Sequence, residues 1–287
     1  MKYAWIEPHQ ADFRISTLCH VLEVSRSGYY EWLERPASVH EREDAQLRAE
    51  VEHHFEQGRG TYGTRRIKRL LAENGRQVSR RRIRRLMGEA KLRCKTRKKF
   101  RPSTGSTPPA RVAPNLLERR FEVMAPDRAY VGDITYVPTA QGWLYLAVVI
   151  DLFSRAVVGW AMAEHRRAAL VNQALTMAIQ RRQPPPGLVM PTDQGSQYGA
   201  DSYLNILDRH GIQPSMSRKG DCWDNAVVER FFHRLKTELI FLECFENREQ
   251  AQHAIFEYIE VFYNRQRRHS TIGYLAPLVY EQAHTHV

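Results

Sequence analysis

The fold class follows from one segment, Tyr130-Val131-Gly132-Asp133-Ile134-Thr135-Tyr136-Val137. Side chains alternate along a strand, so Val131, Asp133, Thr135 and Val137 share one face. An ionised carboxylate in such an apolar row is costly unless a charged partner or a metal ion balances it. The stretch therefore predicts a strand and, on it, a functional acid.

Two further strand patterns follow, over 143–151 and 156–163, and the connections between the three are short. This spacing is typical of an antiparallel meander. Beyond it, helical patterns over 168–182, 202–210, 227–239 and 248–264 surround a short apolar run at 188–192. Three hairpin strands followed by helices and a further strand predict a mixed-sheet α/β domain.

The first hundred residues have helical periodicity instead. Residues 15–35 predict two short helices around a break at 24–28, which is compatible with a helix-turn-helix or with a generic helical hairpin. Ser38 and Glu41 form a capping-box pattern at the start of a longer helix that ends at 58–60. This part of the chain is expected to be all-α.

The positive charge is concentrated in one segment. The chain has a net charge of +11, but residues 59–101 contain 18 Lys and Arg against two acids, so the remainder is slightly acidic. Ser79 predicts the cap of a helix with inward Ile83, Leu86 and Met87. Its other positions, and the basic run after it, are predicted to contact DNA. These residues are Arg80, Arg81, Arg82, Arg84, Arg85, Lys95, Arg97, Lys98 and Lys99.

Composition also bounds the class of protein. The longest apolar run, 143–150, is far shorter than the ~20 residues of a membrane-spanning helix, and no signal-like core opens the chain. The four cysteines are widely spaced, which argues against a disulfide framework or a zinc ribbon. We therefore expect a cytoplasmic protein with no membrane partner.

A Ser/Thr/Pro-rich segment at 102–114 predicts an interdomain linker. The expected organisation is a helical region at 1–58 and a basic helix-turn-helix domain at 59–101. The linker at 102–120 would then lead to a catalytic core at 121–240, which a C-terminal helix and tail at 241–287 would complete.

Two more acids have informative positions. Asp193 directly follows the short strand pattern, at the end where α/β sheets place ligands, and Glu229 lies on a predicted helix. Asp133 and Asp193 are 60 positions apart, and 35 residues separate Asp193 from Glu229.

This order and spacing resemble the DDE transposases and retroviral integrases. Lys236, seven positions after Glu229, is another mark of that group. The strings at 132–136, 192–198, 224–232 and 263–274 narrow the resemblance to the insertion-sequence-three family, specifically its second-reading-frame catalytic protein. Two departures stand out: Pro191-Thr192 replaces the family's usual His-Ser, and Gly220-Asp221-Cys222 replaces Gly-Asn-Cys.

The resemblance implies an RNase H-like core in a bacterial, nucleoid-associated DNA transposase. It implies that Asp133, Asp193 and Glu229 are catalytic and hold Mg²⁺ or Mn²⁺, as two ions, for end cleavage and 3′-hydroxyl strand transfer. The implied partners are transposon-end and target DNA, another copy of the chain in at least a dimer, and an upstream OrfA-type protein as fusion or partner.

Several neighbouring roles are less constrained. His233 and Lys236 share a helix face with Glu229 and are predicted DNA contacts, as is Arg267. Asp151 is expected to fix a hairpin with Arg155 rather than to bind metal. Trp223 is assigned to base stacking or to packing, and the segment 263–274 to the DNA channel or to the attachment of the C-terminal helix.

Two other function classes compete with the transposase. One is a DNA-binding regulator with a decayed nuclease core, which the presence of all three acids and Lys236 disfavours. The other is a nuclease without strand transfer, which the basic N-terminal half disfavours.

Overall fold

The computed structural model describes residues 2–95, 123–192, 195–216 and 226–285. The predicted linker at 102–120 lies outside these residues, as do Arg97, Lys98, Lys99, Asp193 and Trp223. The described chain has an all-α N-terminal part and an α/β part, which is the predicted fold class.

The N-terminal part contains six helices. They are α1 (Lys2–His9), α2 (Ile15–Val21), α3 (Arg26–Glu34), α4 (Val39–Gln57), α5 (Thr64–Glu73) and α6 (Arg80–Glu89). Helices α1 to α3 enclose a small core around Ile6 and Tyr29. The predicted caps are confirmed, since Ser38 and Glu41 form a capping box and the Ser79 hydroxyl accepts from the Arg82 N–H at 3.2 Å.

Helix α4 packs with α5 and α6 into one core. Leu47 and Val51 of α4 are buried together with Ile67, Leu71 and Ile83. The boundary that we expected between residues 58 and 59 therefore falls inside a three-helix unit, because the apolar stripe of α4 has its partners in the basic helices. We call residues 39–95 the three-helix unit.

The α/β part begins with a meander. Strands β1 (Tyr130–Thr139), β2 (Gly142–Asp151) and β3 (Val157–Ala163) pair antiparallel in the order β1-β2-β3. Strands β4 (Val189–Thr192) and β5 (Gln213–Met216) pair parallel, and sequence periodicity did not predict the second of them. A parallel bridge between Ala129 and Val189 joins the two groups, which gives the order β3-β2-β1-β4-β5.

Helices cover both faces of this sheet. Helices α7 (Ala168–Arg182) and α8 (Asp201–Arg209) pack on one face, and α9 (Ala226–Glu238) and α10 (Arg248–Phe256) pack on the other. A π-helical segment, Glu257–Tyr263, extends α10. The chain continues through a short 3₁₀ turn, Ser270–Ile272, to α11 (Pro277–His284).

The predicted helix over 248–264 is thus correct at its start but changes type after Phe256. Buried positions recur every four residues, at Ala251, Ile255, Ile259, Tyr263 and Arg267. An α-helix of 3.6 residues per turn would rotate such a row steadily away from the core. The wider π turns keep the row on the sheet.

Candidate active site

Asp133 lies on the face of β1 that α9 covers. It is half-buried, pairs in register with Val148 of β2, and accepts a hydrogen bond from the Ile134 N–H at 2.7 Å. Val131 and Val137, on the same face, are fully buried in the core beneath α9. The carboxylate is therefore held by a rigid strand at the edge of an apolar layer, as the alternation predicted.

On the opposite face, the Met190 side chain of β4 packs against Gly132 of β1. A methyl group on Gly132 would lie 2.8 Å from Met190 Cε of β4 and 3.5 Å from the Val148 carbonyl oxygen. The Val189 N–H donates to the Arg128 oxygen at 3.0 Å, which fixes the parallel register of the two strands. Strand β4 ends at Thr192, which is buried. The predicted site residue Asp193 follows it in the sequence and lies outside the described residues.

Helix α9 carries Glu229 and Lys236. The helix packs on the sheet through four buried side chains, Val228, Phe231, Phe232 and Leu235. Glu229 lies on the exposed side of the helix, and partial burial raises the pKa of its carboxyl. A bound metal ion would offset this shift, because its positive charge favours the ionised carboxylate of Glu229.

The Lys236 amine lies 4.7 Å from the centre of the Tyr136 ring on β1, and Asp133 attracts it. Burial lowers the pKa of this amine, and the Asp133 charge partly offsets the shift. His233, on the same helix, is exposed. Lys236 thus connects the helix of Glu229 to the strand of Asp133, and the predicted DNA contacts of Lys236 and His233 stay predictions.

Asp133 and Glu229 are oxygen donors on a strand and a helix that pack together. Oxygen donors fit hard divalent cations such as Mg²⁺. Within the described ranges, no three His, Cys, Asp or Glu side chains converge as a metal site. The third acid of the predicted set is Asp193, which those ranges do not include.

Asp151 has the structural role that we expected, with different partners. Its carboxylate is fully buried and accepts from the Phe153 N–H at 2.9 Å and from the Ser154 hydroxyl at 3.2 Å. The Arg155 backbone N–H bonds to the Asp151 carbonyl oxygen. Burial raises the pKa of the carboxyl to about 6. Asp151 therefore fixes the β2–β3 turn.

The segment 263–274 attaches the C-terminal part to the core. The Asn264 side chain bonds both the N–H and the C=O of Val157, each at 2.9 Å. Arg267 is 2% exposed and pairs with Glu238 of α9 at 2.7 and 2.5 Å. This overturns the predicted DNA contact of Arg267, because its guanidinium is enclosed and neutralised inside the protein.

The arginines of α6 divide into two groups. Arg82 and Arg85 pair with Asp44 of α4, and these two arginines hold the pKa of that carboxyl down at about 2. Arg82 and Arg85 are thus at least partly occupied by an internal acid, which helical periodicity did not predict. Arg80, Arg81 and Arg84 are exposed.

The three-helix unit contacts the core along the π-helical segment and the residues that follow it. Arg59 pairs with Glu257, and its guanidinium lies 4.4 Å from the centre of the Phe262 ring. The Tyr62 hydroxyl donates to the Gln266 oxygen at 3.1 Å and accepts from the Arg268 N–H at 3.0 Å.

Lys95, predicted to contact DNA, donates to the Glu238 carbonyl oxygen at 3.3 Å. Sequence reasoning missed these contacts.

Comparisons with known proteins agree with this arrangement. A family model described as Integrase core domain matches residues 124–222, a second of the same description matches 210–277, and one described as HTH-like domain matches 41–100. Transposase InsF for insertion sequence IS3A, from Escherichia coli (strain K12), is 42% identical over 283 residues, which are 98% of each chain. The chain belongs to the insertion-sequence-three family of transposases.

A second relative of this transposase is the insertion element IS600 uncharacterized 31 kDa protein from Shigella sonnei. It is 45% identical over 265 residues, which are 92% of this chain and 97% of that protein. The family confirms the predicted transposase function, and the integrase-core and HTH-like matches confirm the predicted fold class. None of the described helices is long and apolar enough to cross a membrane.

Two solved structures also resemble the transposase. The HTLV-2 integrase catalytic core domain in complex with magnesium has a TM-score of 0.44 at 18% identity, covering 56% of this chain and 99% of that one. The simian T-cell lymphotropic virus intasome in complex with a PP2A regulatory subunit has a TM-score of 0.47 at 16% identity, covering 75% and 70%.

Proposed function

We propose that Asp133, Asp193 and Glu229 together hold two divalent cations, Mg²⁺ or Mn²⁺, with which this transposase cleaves transposon-end DNA and joins the freed 3′-hydroxyl to a target. The register of β1 and β4 carries the proposal. Ala129 bridges Val189, an offset of 60 positions, and the same offset separates Asp133 from Asp193. Two parallel strands continued at this register would bring the two acids side by side.

Glu229 would complete the set from the other side, because α9 packs over the face of β1 that carries Asp133. Cations bound there would activate an attacking oxygen and stabilise the leaving oxygen at phosphorus. The protein's part is to hold the three carboxylates on rigid elements. Lys236, fixed over Tyr136, would hold a DNA phosphate beside them.

The three-helix unit would bind the DNA. Arg80, Arg81 and Arg84 project from α6 on the side away from its buried stripe. Arginines on a helix that is exposed in this way suit phosphate contacts along a DNA groove. Cleavage at two ends and their joining would require at least two copies of the chain, and an OrfA-type protein stays a predicted partner.

The test is cleavage and joining of labelled DNA that carries the element's terminal sequence, with Mg²⁺ or Mn²⁺. We expect Asp133→Asn, Asp193→Asn and Glu229→Gln each to reduce cleavage by roughly 10²-fold or more. Asp208→Asn, which changes an exposed acid on α8, is the matched control and should retain wild-type rates. Cleavage within a few-fold of wild type in any of the three variants would refute that residue's assignment, and cleavage without joining would indicate a nuclease.

A further inference from the structure

A cavity of about 380 Å³ lies where the three-helix unit meets the catalytic core. The residues that line it come from the start of α5, the start of α6 and the C-terminal segment of the core. They include Gly63, Arg65, Arg66, Arg80, Ser270 and Tyr274. A water molecule occupies about 30 Å³ in the liquid, so a phosphate group with part of its hydration shell would fit. We call this space the junction cavity.

Three arginines bring positive charge to the junction cavity. Arg65 and Arg80 are exposed, and neither makes an ion pair or a side-chain hydrogen bond with any residue that the structure describes. Arg66 is half-buried, and its guanidinium donates to the carbonyl oxygens of Arg268 at 3.1 Å and Thr61 at 3.2 Å. One guanidinium is therefore fixed in the wall, and two can turn toward a ligand. Guanidinium groups donate in pairs to phosphate oxygens.

The start of α5 adds backbone donors. The first N–H groups of a helix have no partner inside it. Gly63 is the N-cap and has no side chain to accept from them, and no described residue accepts from the N–H of Thr64 or Arg65. Packing does not require glycine here, because φ is −89° and an added Cβ would lie 3.5 Å from the Cys94 sulfur, an ordinary contact. Gly63 therefore leaves the positive end of α5 open to an anion in the cavity.

The core supplies the opposite wall. The side chains of Ser270 and Tyr274 line the cavity, and within the described ranges the hydroxyl of neither has a hydrogen-bond partner. Arg268 links this wall to the three-helix unit, because it donates to the Tyr274 carbonyl oxygen at 3.2 Å and pairs with Glu73 of α5 at 2.8 Å. Since its two walls belong to different parts of the chain, the cavity depends on their docking.

We propose that the junction cavity binds one backbone phosphate of the terminal DNA, which contacts both walls at once. The choice of DNA rests on the proposed function, in which the exposed arginines of α6 bind DNA. Arg80 lines the cavity, and Arg84, one helical turn further along α6, lies on the same side of the helix and is exposed. A strand that leaves the cavity would therefore pass directly along the basic face of α6.

A methylphosphonate scan tests this site. The full chain is titrated, in EDTA so that no cleavage occurs, against terminal DNA in which one phosphate at a time is replaced by a neutral methylphosphonate. Wild-type binding should weaken about tenfold when the replaced phosphate is the one in the cavity. Arg65→Gln should weaken binding to unmodified DNA, lower the slope of log affinity against log salt by about one, and lose its sensitivity to that replacement.

Two inserted carboxylates test the two walls separately. Gly63→Asp caps the open N–H groups of α5, and Ser270→Asp places a negative charge on the core wall. Each should weaken binding about tenfold and lose sensitivity to the same phosphate. Asp is a favourable N-cap, so Gly63→Asp should not lower the midpoint of urea unfolding, which separates loss of the site from misfolding. Asn74→Asp, which adds the same charge at the other end of α5, is the matched control and should remain sensitive.

Two patterns of the scan would contradict the proposal. Additive effects of the replacement in Arg65→Gln, Gly63→Asp and Ser270→Asp would refute the site. Wild-type sensitivity in Ser270→Asp, with sensitivity lost in Gly63→Asp, would place the phosphate on the three-helix unit alone and refute the shared site.

A calorimetric titration with inorganic pyrophosphate separates DNA from a free anion. Heat that Arg65→Gln abolishes, combined with an additive scan, would assign a free anion and overturn the DNA assignment. The two proposals also fail separately. Wild-type cleavage that depends on Asp133, together with an additive scan, would refute only the junction cavity. Sensitivity that all three variants lose, in a protein that does not cleave terminal DNA, would refute only the proposed function.

Discussion

Gly159, on β3, lies directly against the backbone of α7. A methyl group on Gly159 would lie 2.2 Å from the carbonyl oxygen of Ala174 and 2.7 Å from the Ala178 nitrogen. Both atoms belong to the helix backbone, so no side-chain rotation can relieve the clash. The packing of α7 on the sheet therefore requires glycine at position 159.

We expect Gly159→Ala to lower the free energy of unfolding by about 3 kcal/mol, the upper end of ordinary overpacking costs. Gly88→Ala is the matched control, because Gly88 lies within α6 and has nothing within 4 Å of the added methyl group. It should raise the free energy of unfolding by about 0.5–1 kcal/mol, since alanine favours helix. Urea denaturation measures both, and equal effects would contradict the close approach.

Asp151 makes the stability depend on pH. Its pKa is raised from 3.8 to about 6 because burial, with help from Asp127 and Glu281, disfavours the charged form, while Arg182 at 4.0 Å favours it. A raised folded-state pKa contributes stability that is complete below about pH 4 and is lost as pH rises through 6.

Asp151→Asn removes this titration and can keep both turn hydrogen bonds. From pH 4 to pH 7.5 the wild type should therefore lose up to about 3 kcal/mol of stability relative to the variant. Asp208→Asn, which changes an exposed acid on α8, is the matched control variant. The measurement is denaturant unfolding across this pH range, and a difference independent of pH would show that Asp151 is charged throughout.

The position of Asp133 on β1 could be predicted from the sequence alone, because a carboxylate that interrupts a row of apolar residues on one face of a strand is visible in the sequence. The ion pairs of Arg267 with Glu238 and of Arg82 with Asp44 could not. Each of these ion pairs joins side chains that are distant in the sequence. In addition, helical periodicity does not distinguish an arginine that pairs inside the protein from one that faces the solvent.

At the scale of elements, Asn264 joins the π-helical segment to β3. Its amide supplies both a donor and an acceptor to the backbone of Val157, as a neighbouring strand would. Unpartnered buried backbone groups cost about 1–3 kcal/mol each. The C-terminal segment is therefore bound to the sheet by a side chain that imitates backbone pairing.

Asn264→Ala should lower the free energy of unfolding by about 2–5 kcal/mol, since two buried groups lose their partner. Asn247→Ala is the control. Asn247 caps α10 through a 2.8 Å bond from the Gln250 N–H, and its loss should cost about 1 kcal/mol. Thermal or urea unfolding compares the two, and similar costs would mean that water replaces the Asn264 contacts.

Most helices and the meander could be predicted from periodicity, with ends within one or two residues. Strand β5 and the π-helical segment could not. Strand β5 has only four residues and no alternation strong enough to distinguish it from a loop. The π turns depend on packing against β3 and α9, which local sequence does not contain.

At the scale of the whole molecule, the three-helix unit is docked on the catalytic core. Arg59, Tyr62 and Arg268 form the contact, and Arg268 also pairs with Glu73 of α5 at 2.8 Å. The sequence predicted both parts but treated them as separate domains, since no pattern links residue 59 to residue 257. If α6 binds DNA as proposed, the docking would fix where that DNA lies relative to Glu229.

The double variant Arg59→Gln/Tyr62→Phe should loosen this contact. We expect amide hydrogen exchange in residues 257–268 to accelerate roughly thirtyfold, because at least two hydrogen bonds of about 1 kcal/mol each are lost. Arg69→Gln, which breaks only the pair with Glu73 within α5, should leave that segment unchanged. Acceleration confined to residues 59–62 would show that the docking does not stabilise the core.

The bond between Asn264 and Val157 has a consequence for how copies of the transposase can associate. Among the described strands, β3 lies at one end of the order, where an unpaired edge could recruit a strand from another molecule. Asn264 occupies the backbone groups of Val157, and the Met177 sulfur accepts from the Trp160 N–H at 3.4 Å. Among the residues that the structure describes, this border of the sheet is closed to strand addition at two points, so if copies assemble on DNA as proposed, we expect their contact to involve other surfaces.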